Sequence, residues 1–182
     1  MPDRHALDLT VPLQSTDHLL GAEHAPVKVV EYGDFECPNC KQAAPAVKLL
    51  VERFGARVCF VFRHFPLEEV HPHALGAAEA AECVGAQGRF WPMYELLFEN
   101  QLHLKAQQLR GYAQKLQCDM PRYQAEMDDH VYLQRVREHI EGAKRSGVRA
   151  TPTFFVNGRI HDVSYGLRSL FEAVEAAVPT HR

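Results

Sequence analysis

Two cysteines stand two residues apart, Cys37 and Cys40, in the run VVEYGDFECPNCKQAAPAVKLL. Such a pair supplies half of a tetrahedral zinc site, a dithiol that cycles with a disulfide, or two inert thiols. A zinc site needs a second pair of Cys or His ligands. The nearest, His71 and His73, flank Pro72 instead of sharing a helix face, and Cys59, Cys83 and Cys118 stand singly. Redox exchange leads, with a zinc-binding domain as the rival that stoichiometric metal would reveal.

The residues around the pair read as a strand before it and a helix after it. Val27, Val29, Val30, Tyr32 and Phe35 read as a buried strand running into a loop at Gly33-Asp34. After the pair, Ala44, Val47, Val51 and Phe54 recur at helical steps, and Gly55 supplies the stop. Pro45 removes one backbone donor and should kink this helix. The pair then lies at a helix N-terminus, where unpaired N–H groups favour a thiolate. Cys37, at the exposed tip, would exchange with a partner disulfide or thiol. Cys40, one turn along and facing inward, would resolve the mixed disulfide. Pro38 suits the first helical turn.

Other elements follow the same logic. ARVCFVFRHFPL is apolar on both faces and reads as a strand covered on each side. Residues 71–146 carry helical periodicity throughout, enough for four or five helices and no strand. Phe90, Trp91, Tyr94, Leu97 and Phe98 read as the core stripe of one of them. TPTFFVNGRIHD has apolar residues on both sides of Asn157-Gly158, the strongest short hairpin signal. Leu167, Leu170, Phe171, Val174 and Val178 form the face of a closing helix. The expected class is α/β, in the order β-α-β, helical insertion, β-hairpin, α.

Composition narrows the function classes. The chain has 182 residues with 46% hydrophobic and 24% charged, ordinary for a globular protein. A formal charge of −3 without a basic block argues against nucleic acid. No stretch reaches the roughly 20 apolar residues of a membrane helix, so membrane insertion is not expected. The first residues lack a signal-peptide pattern, so the expected location is cytoplasmic, or periplasmic if a signal was removed. Five cysteines are an odd and sparse set, unlike a secreted disulfide framework. The eleven histidines show no sustained spacing and read mostly as surface residues.

Taken together, the motifs resemble the DsbA-like branch of the thioredoxin superfamily over about residues 15–178. Five stretches carry the resemblance: EYGDFECPNC, Pro45 five residues after Cys40, RHFPL, FWPMYELLFENQ and GVRATPTFFVNG. It implies a thioredoxin-like domain split over residues 14–66 and 147–182, a helical insertion at 67–146 and an N-terminal arm at 1–13. It also implies a cis proline at Thr151-Pro152 packed against the dithiol, leaving the Thr151 backbone free to pair with an extended substrate. Pro38, Asn39, Thr151 and Pro152 would face that substrate. Glu31, six residues before Cys37, matches the buried acid that handles the inner cysteine's proton. Glu36, beside Cys37, reads as a solvated surface acid. Asn39 departs from the histidine of strongly oxidising members, which implies a less acidic Cys37.

The resulting expectation is a monomeric thiol–disulfide oxidoreductase. It needs no cofactor or metal beyond the Cys37–Cys40 pair and acts on protein or peptide thiols. A recycling partner would be glutathione, a reductase or a membrane oxidase. A glutathione-dependent transferase or isomerase is one alternative, although those relatives place serine where Cys37 stands. A non-catalytic binding or chaperone-like module is the other.

Overall fold

A computed structural model describes residues 8–179. The buried hydrophobic run after Pro26 forms strand β2 (Val27–Gly33), and helix α1 (Pro38–Phe54) crosses to strand β3 (Val58–His64), which pairs parallel to it. A four-residue strand, β1 (His18–Gly21), pairs antiparallel to β3 at the edge of the sheet. Its short, half-buried segment HLLG offers too little alternation to announce a strand. Strand β4 (Thr153–Val156) runs antiparallel to β2, and β5 (Arg159–His161) folds back on β4. The sheet order is β1-β3-β2-β4-β5.

The β4–β5 turn places Asn157 at φ 48° and Gly158 at φ 81°, the doubly positive conformation that suits Asn-Gly. Between β3 and β4 the chain forms five helices: α2 (Ala74–Gly85), α3 (Phe90–Glu99), α4 (Ala106–Lys115), α5 (Met120–Asp128) and α6 (Leu133–Arg145). Helix α7 (Arg168–Ala177) closes the described chain.

Strand alternation sorts the core into two layers. Val27, Val29, Val58, Phe60 and Phe62 join α1, α2, α3 and α7 on one side of the sheet. Val30, Tyr32 and Val61 join α6 on the other. The buried face of α1 is Cys40, Ala43, Val47, Leu50 and Phe54. That is a rotation from the expected face, because Ala44 and Val51 are only half-buried and Ala43 and Leu50 take the core positions. Pro45 lies inside α1, which continues past it.

Candidate active site

The chain leaves β2 at Gly33 and turns into α1 at Pro38, with Cys37 extended at φ −76° and ψ 122° as the preceding residue. Buried polar contacts hold this turn. Asp34 is 2% exposed; its carboxylate accepts from the N–H of Glu36 at 2.7 Å and of Leu67 at 2.8 Å, and pairs with His71 Nδ1 at 2.8 Å. Gln101, after α3, donates its side-chain amide to the carbonyls of Phe35 at 2.9 Å and Cys37 at 2.8 Å. Glu36 corrects the expectation of a solvated acid. It is half-buried and accepts the His73 N–H at 2.7 Å, because the start of the helical region lies against it. Sequence reasoning missed Asp34, His71 and Gln101. Their partners are distant in the chain, so no local spacing marks them.

Cys37 and Cys40 are free thiols. Cys40 is fully buried and faces the core as expected, and its sulfur receives the Asp34 N–H at 3.5 Å. Cys37 is not at an exposed tip: it is 5% exposed, because the segment before β4 lies over it. Its thiol donates to the Thr151 carbonyl at 3.4 Å. The Thr151–Pro152 peptide bond is cis. Pro38 and Asn39 are exposed, and Pro152 is half-buried.

The two thiols titrate in opposite directions. Cys37 falls to about 5 through its hydrogen bond with Cys40, against the opposing effect of burial. Thr151 and the backbone N–H groups of Cys40 and Asn39 assist. The Thr151 carbonyl suits the neutral thiol; on ionisation its hydroxyl, otherwise without a partner among the described residues, is the group able to donate. Asn39 therefore contributes through its backbone at the helix N-terminus. Cys40 is pushed well up by burial and by its bond to Cys37. Beneath them, Glu31 is fully buried, and neither carboxylate oxygen has a hydrogen-bond partner among the described residues. Burial, then the charge of Cys37, raise its carboxyl to about 8.

A cleft of about 810 Å³ lies between the start of α1, the Thr151–Thr153 segment and the β5–α7 connection, and neither Cys37 nor Cys40 is among the residues lining it. Asn39, Gln42, Thr151 and Pro152 line it, with Ile160 and Leu167 as apolar walls. The structure thus brings Glu31, Cys37, Cys40 and Thr151 together and places Asn39 and Pro152 at the cleft. Pro38 is exposed and is not among the residues lining the cleft.

The remaining cysteines lie elsewhere. Cys59, Cys83 and Cys118 are all buried, and burial raises Cys83 to about 12, which leaves it unreactive. His24, His103 and His130 are exposed as read, whereas His64 and its neighbours His18 and His139 depart from the surface reading. His64 is buried and donates from Nε2 to Glu82 Oε1 at 2.8 Å, while His18 and Arg135 reach Glu82 Oε2 at 3.0 and 3.1 Å. His64, Glu82 and His139 hold metal-type donor atoms within 4.8 Å of one another. The Arg135 guanidinium already neutralises Glu82 and would repel a cation there, so this group acts as a structural ion cluster.

A family model described as Thioredoxin matches residues 13–176. The chain is 48% identical over 172 residues to the protein named Na(+)/H(+) antiporter NhaA 1 of Salinispora arenicola, a match covering 94% of this chain and 26% of that protein. It therefore spans about a quarter of the length of the curated relatives it matches. Among solved structures, oxidised BdbD from Bacillus subtilis superposes with a TM-score of 0.79 at 24% identity, covering 88% of this chain and 92% of that one. The α-DsbA1 protein of Wolbachia pipientis gives 0.76 at 21% identity, covering 94% and 95%.

Proposed function

Because the chain belongs to the thioredoxin family and has a DsbA-like fold, we propose that it is a thiol–disulfide oxidoreductase acting on protein or peptide cysteines through Cys37 and Cys40. One observation carries this reading: two adjacent free thiols whose pKa values are driven apart, the outer to about 5 and the inner well up, over an unpartnered buried acid. Ion clusters that merely stabilise a fold pair their charges. This site leaves them unpaired beside a cleft.

The exchange follows from those properties. As an oxidant, the protein starts with the Cys37–Cys40 disulfide. A substrate thiolate attacks Cys37 Sγ, forming a mixed disulfide and releasing Cys40 as a thiolate that takes a proton from Glu31. A second substrate thiolate then attacks its own mixed-disulfide sulfur. The substrate leaves as a disulfide, and Cys37 departs as a stable thiolate. Two electrons pass from substrate to protein. In the reverse direction Glu31 accepts the Cys40 proton, and Cys40 attacks Cys37 Sγ. The low pKa of Cys37 stabilises the dithiol form, which favours donation of disulfides. The disulfide is its own redox carrier, restored by a recycling oxidant such as a disulfide or a membrane oxidase.

Trapping tests this reading. Cys40→Ser should accumulate a mixed disulfide when its Cys37 thiolate attacks a disulfide-containing peptide and the second peptide sulfur leaves as thiolate, and Cys37→Ser should abolish exchange. A Cys37→Ser variant with unchanged exchange would contradict it and favour the binding-module alternative.

A further inference from the structure

A pocket of about 230 Å³ lies between the chain before β1, strands β2 and β3, and helix α6. Tyr32 places it on the α6 side of the sheet, opposite the face that α1 covers. It is smaller than the roughly 300–1,000 Å³ of pockets for drug-sized ligands, so it suits a small ion or molecule. Arg135, Glu138, His139 and Arg145 line it from α6, where steps of three, four and seven residues bring them to one helix face. Gly142 lies in the same stripe and lets the neighbouring chain approach. A Cβ added there would stand 3.0 Å from Val11 Cγ2 and 3.3 Å from the Tyr32 hydroxyl.

The wall holds donors that the fold leaves unused. Arg135 turns Nη1 to Glu82 Oε2 at 3.1 Å, while its Nε and Nη2 are buried with no hydrogen-bond partner among the described residues. Those two N–H groups form one edge of the guanidinium, the fork that grips an oxyanion through two parallel bonds. His139 accepts the His64 N–H on Nδ1 at 3.2 Å. Burial, then the charge of His64, keep its ring neutral, so Nε2 carries the one ring proton. The Tyr32 hydroxyl accepts from Arg63 Nη1 at 3.2 Å and keeps its own proton to donate. Arg145 adds an exposed guanidinium at the end of α6.

Other charges at the pocket are already engaged. Arg63 donates to Asp17 at 2.9 and 2.7 Å and to the carbonyls of Val11 and Pro12 at 2.8 Å. Glu138 is the one carboxylate in the wall, and it accepts from Gln134 at 3.2 Å. Three arginines therefore face one glutamate. Buried charged donors without acceptors are costly, and an anion in the pocket removes that cost.

We propose that this pocket binds a phosphate-class oxyanion, gripped by the Nε–Nη2 edge of Arg135 and closed in by His139, Tyr32 and Arg145. Donors converge on it from β2 and from three positions along α6, which suits the four oxygens of a tetrahedral dianion. The Arg135 edge alone would satisfy the two oxygens of a monocarboxylate. Neither Cys37 nor Cys40 lines the pocket, so binding stands apart from thiol exchange.

The test titrates inorganic phosphate and glycerol 3-phosphate into the full chain at neutral pH and constant ionic strength. Calorimetry reads the affinity, and nitrogen-15 NMR follows the His139 ring. Saturable binding with Kd below about 1 mM is expected, together with a shift of the His139 Nε2 signal. Tighter binding of the ester would identify a phosphorylated small molecule as the ligand, and tighter binding of inorganic phosphate would identify the free ion. Arg135→Lys keeps the charge but deletes the edge, and should weaken binding by about tenfold or more. Because Arg135 also holds Glu82, Arg145→Gln provides a second variant at an exposed position. It should weaken binding about tenfold with Tm unchanged. No saturation by either phosphate up to about 10 mM overturns the proposal. So does acetate binding as tightly as phosphate, or full affinity in both variants.

Discussion

Glu31 and Glu82 are both glutamates with 1% exposure or less, and their surroundings could hardly differ more. Glu82 pairs with His18, His64 and Arg135. Burial alone would raise its carboxyl, but its hydrogen bonds from His18 and His64 and their charges hold it well below the usual carboxylate range. Glu31 has no partner among the described residues, and burial drives it to about 8. A fully paired buried acid serves the fold, because its charge is already spent on neighbours. An unpaired one beside a reactive thiol can take up and release a proton near neutral pH. The contrast separates the structural cluster from the chemical site more cleanly than burial or residue type does.

The largest effect should come from breaking the paired acid. Glu82→Gln leaves His18, His64 and Arg135 without their common anion. It should cost about 3–5 kcal/mol and lower Tm by about 10 °C, with the pH midpoint of Cys37 alkylation unchanged. A stable variant would mean the cluster contributes little.

Glu31→Gln should act in the opposite direction on stability. The folded pKa of about 8 lies above the ordinary value of 4.5, so the Glu31 contribution is full below pH 4.5 and is lost as pH rises through 8. At neutral pH the variant should therefore gain about 1–3 kcal/mol, with the gain growing as pH rises. It should also slow resolution by Cys40. Denaturant titrations from pH 5 to pH 8 would check the first and stopped-flow exchange the second. A variant less stable than the parent across that range would contradict the unpaired-acid account.

A smaller effect belongs to His139, beside the cluster. Burial, then the charge of His64, depress it to about 3 from 6.5. A depressed histidine takes up protons on unfolding, so its contribution is present above pH 6.5 and is lost as pH falls toward 3. His139→Gln should flatten the fall of Tm between pH 6.5 and pH 4, measured by calorimetry. An unchanged slope would remove His139 from the acid response.

The comparison also shows which parts of the molecule were legible in the sequence. The strand, the C-x-x-C pair and the helix were readable because period and turn chemistry are local. So were the β4–β5 hairpin and the apolar stripe of α3. Cys37 looked exposed because helix-end position alone was read there; the family resemblance did set the Thr151-Pro152 segment against the dithiol, and that segment is what buries Cys37. The clamp by Asp34, His71 and Gln101 was invisible because its partners are distant in the chain. Glu82 did leave a trace: it sits on an Ala-rich helix buried nearly all round, where an acid demands a partner. Histidines scattered along the chain were its partners, and only folding gathers them. Strand β1 was too short to show alternation.

The central claim is tested most directly by the reduction potential of the Cys37–Cys40 pair, measured in a glutathione redox buffer with Cys40→Ser as control. A reversible two-electron titration with a midpoint above roughly −200 mV is the predicted result, since the stabilised Cys37 thiolate favours the dithiol. A midpoint near roughly −270 mV would reverse the proposed direction of exchange and make the protein a reductant. The absence of any reversible titration would contradict the account.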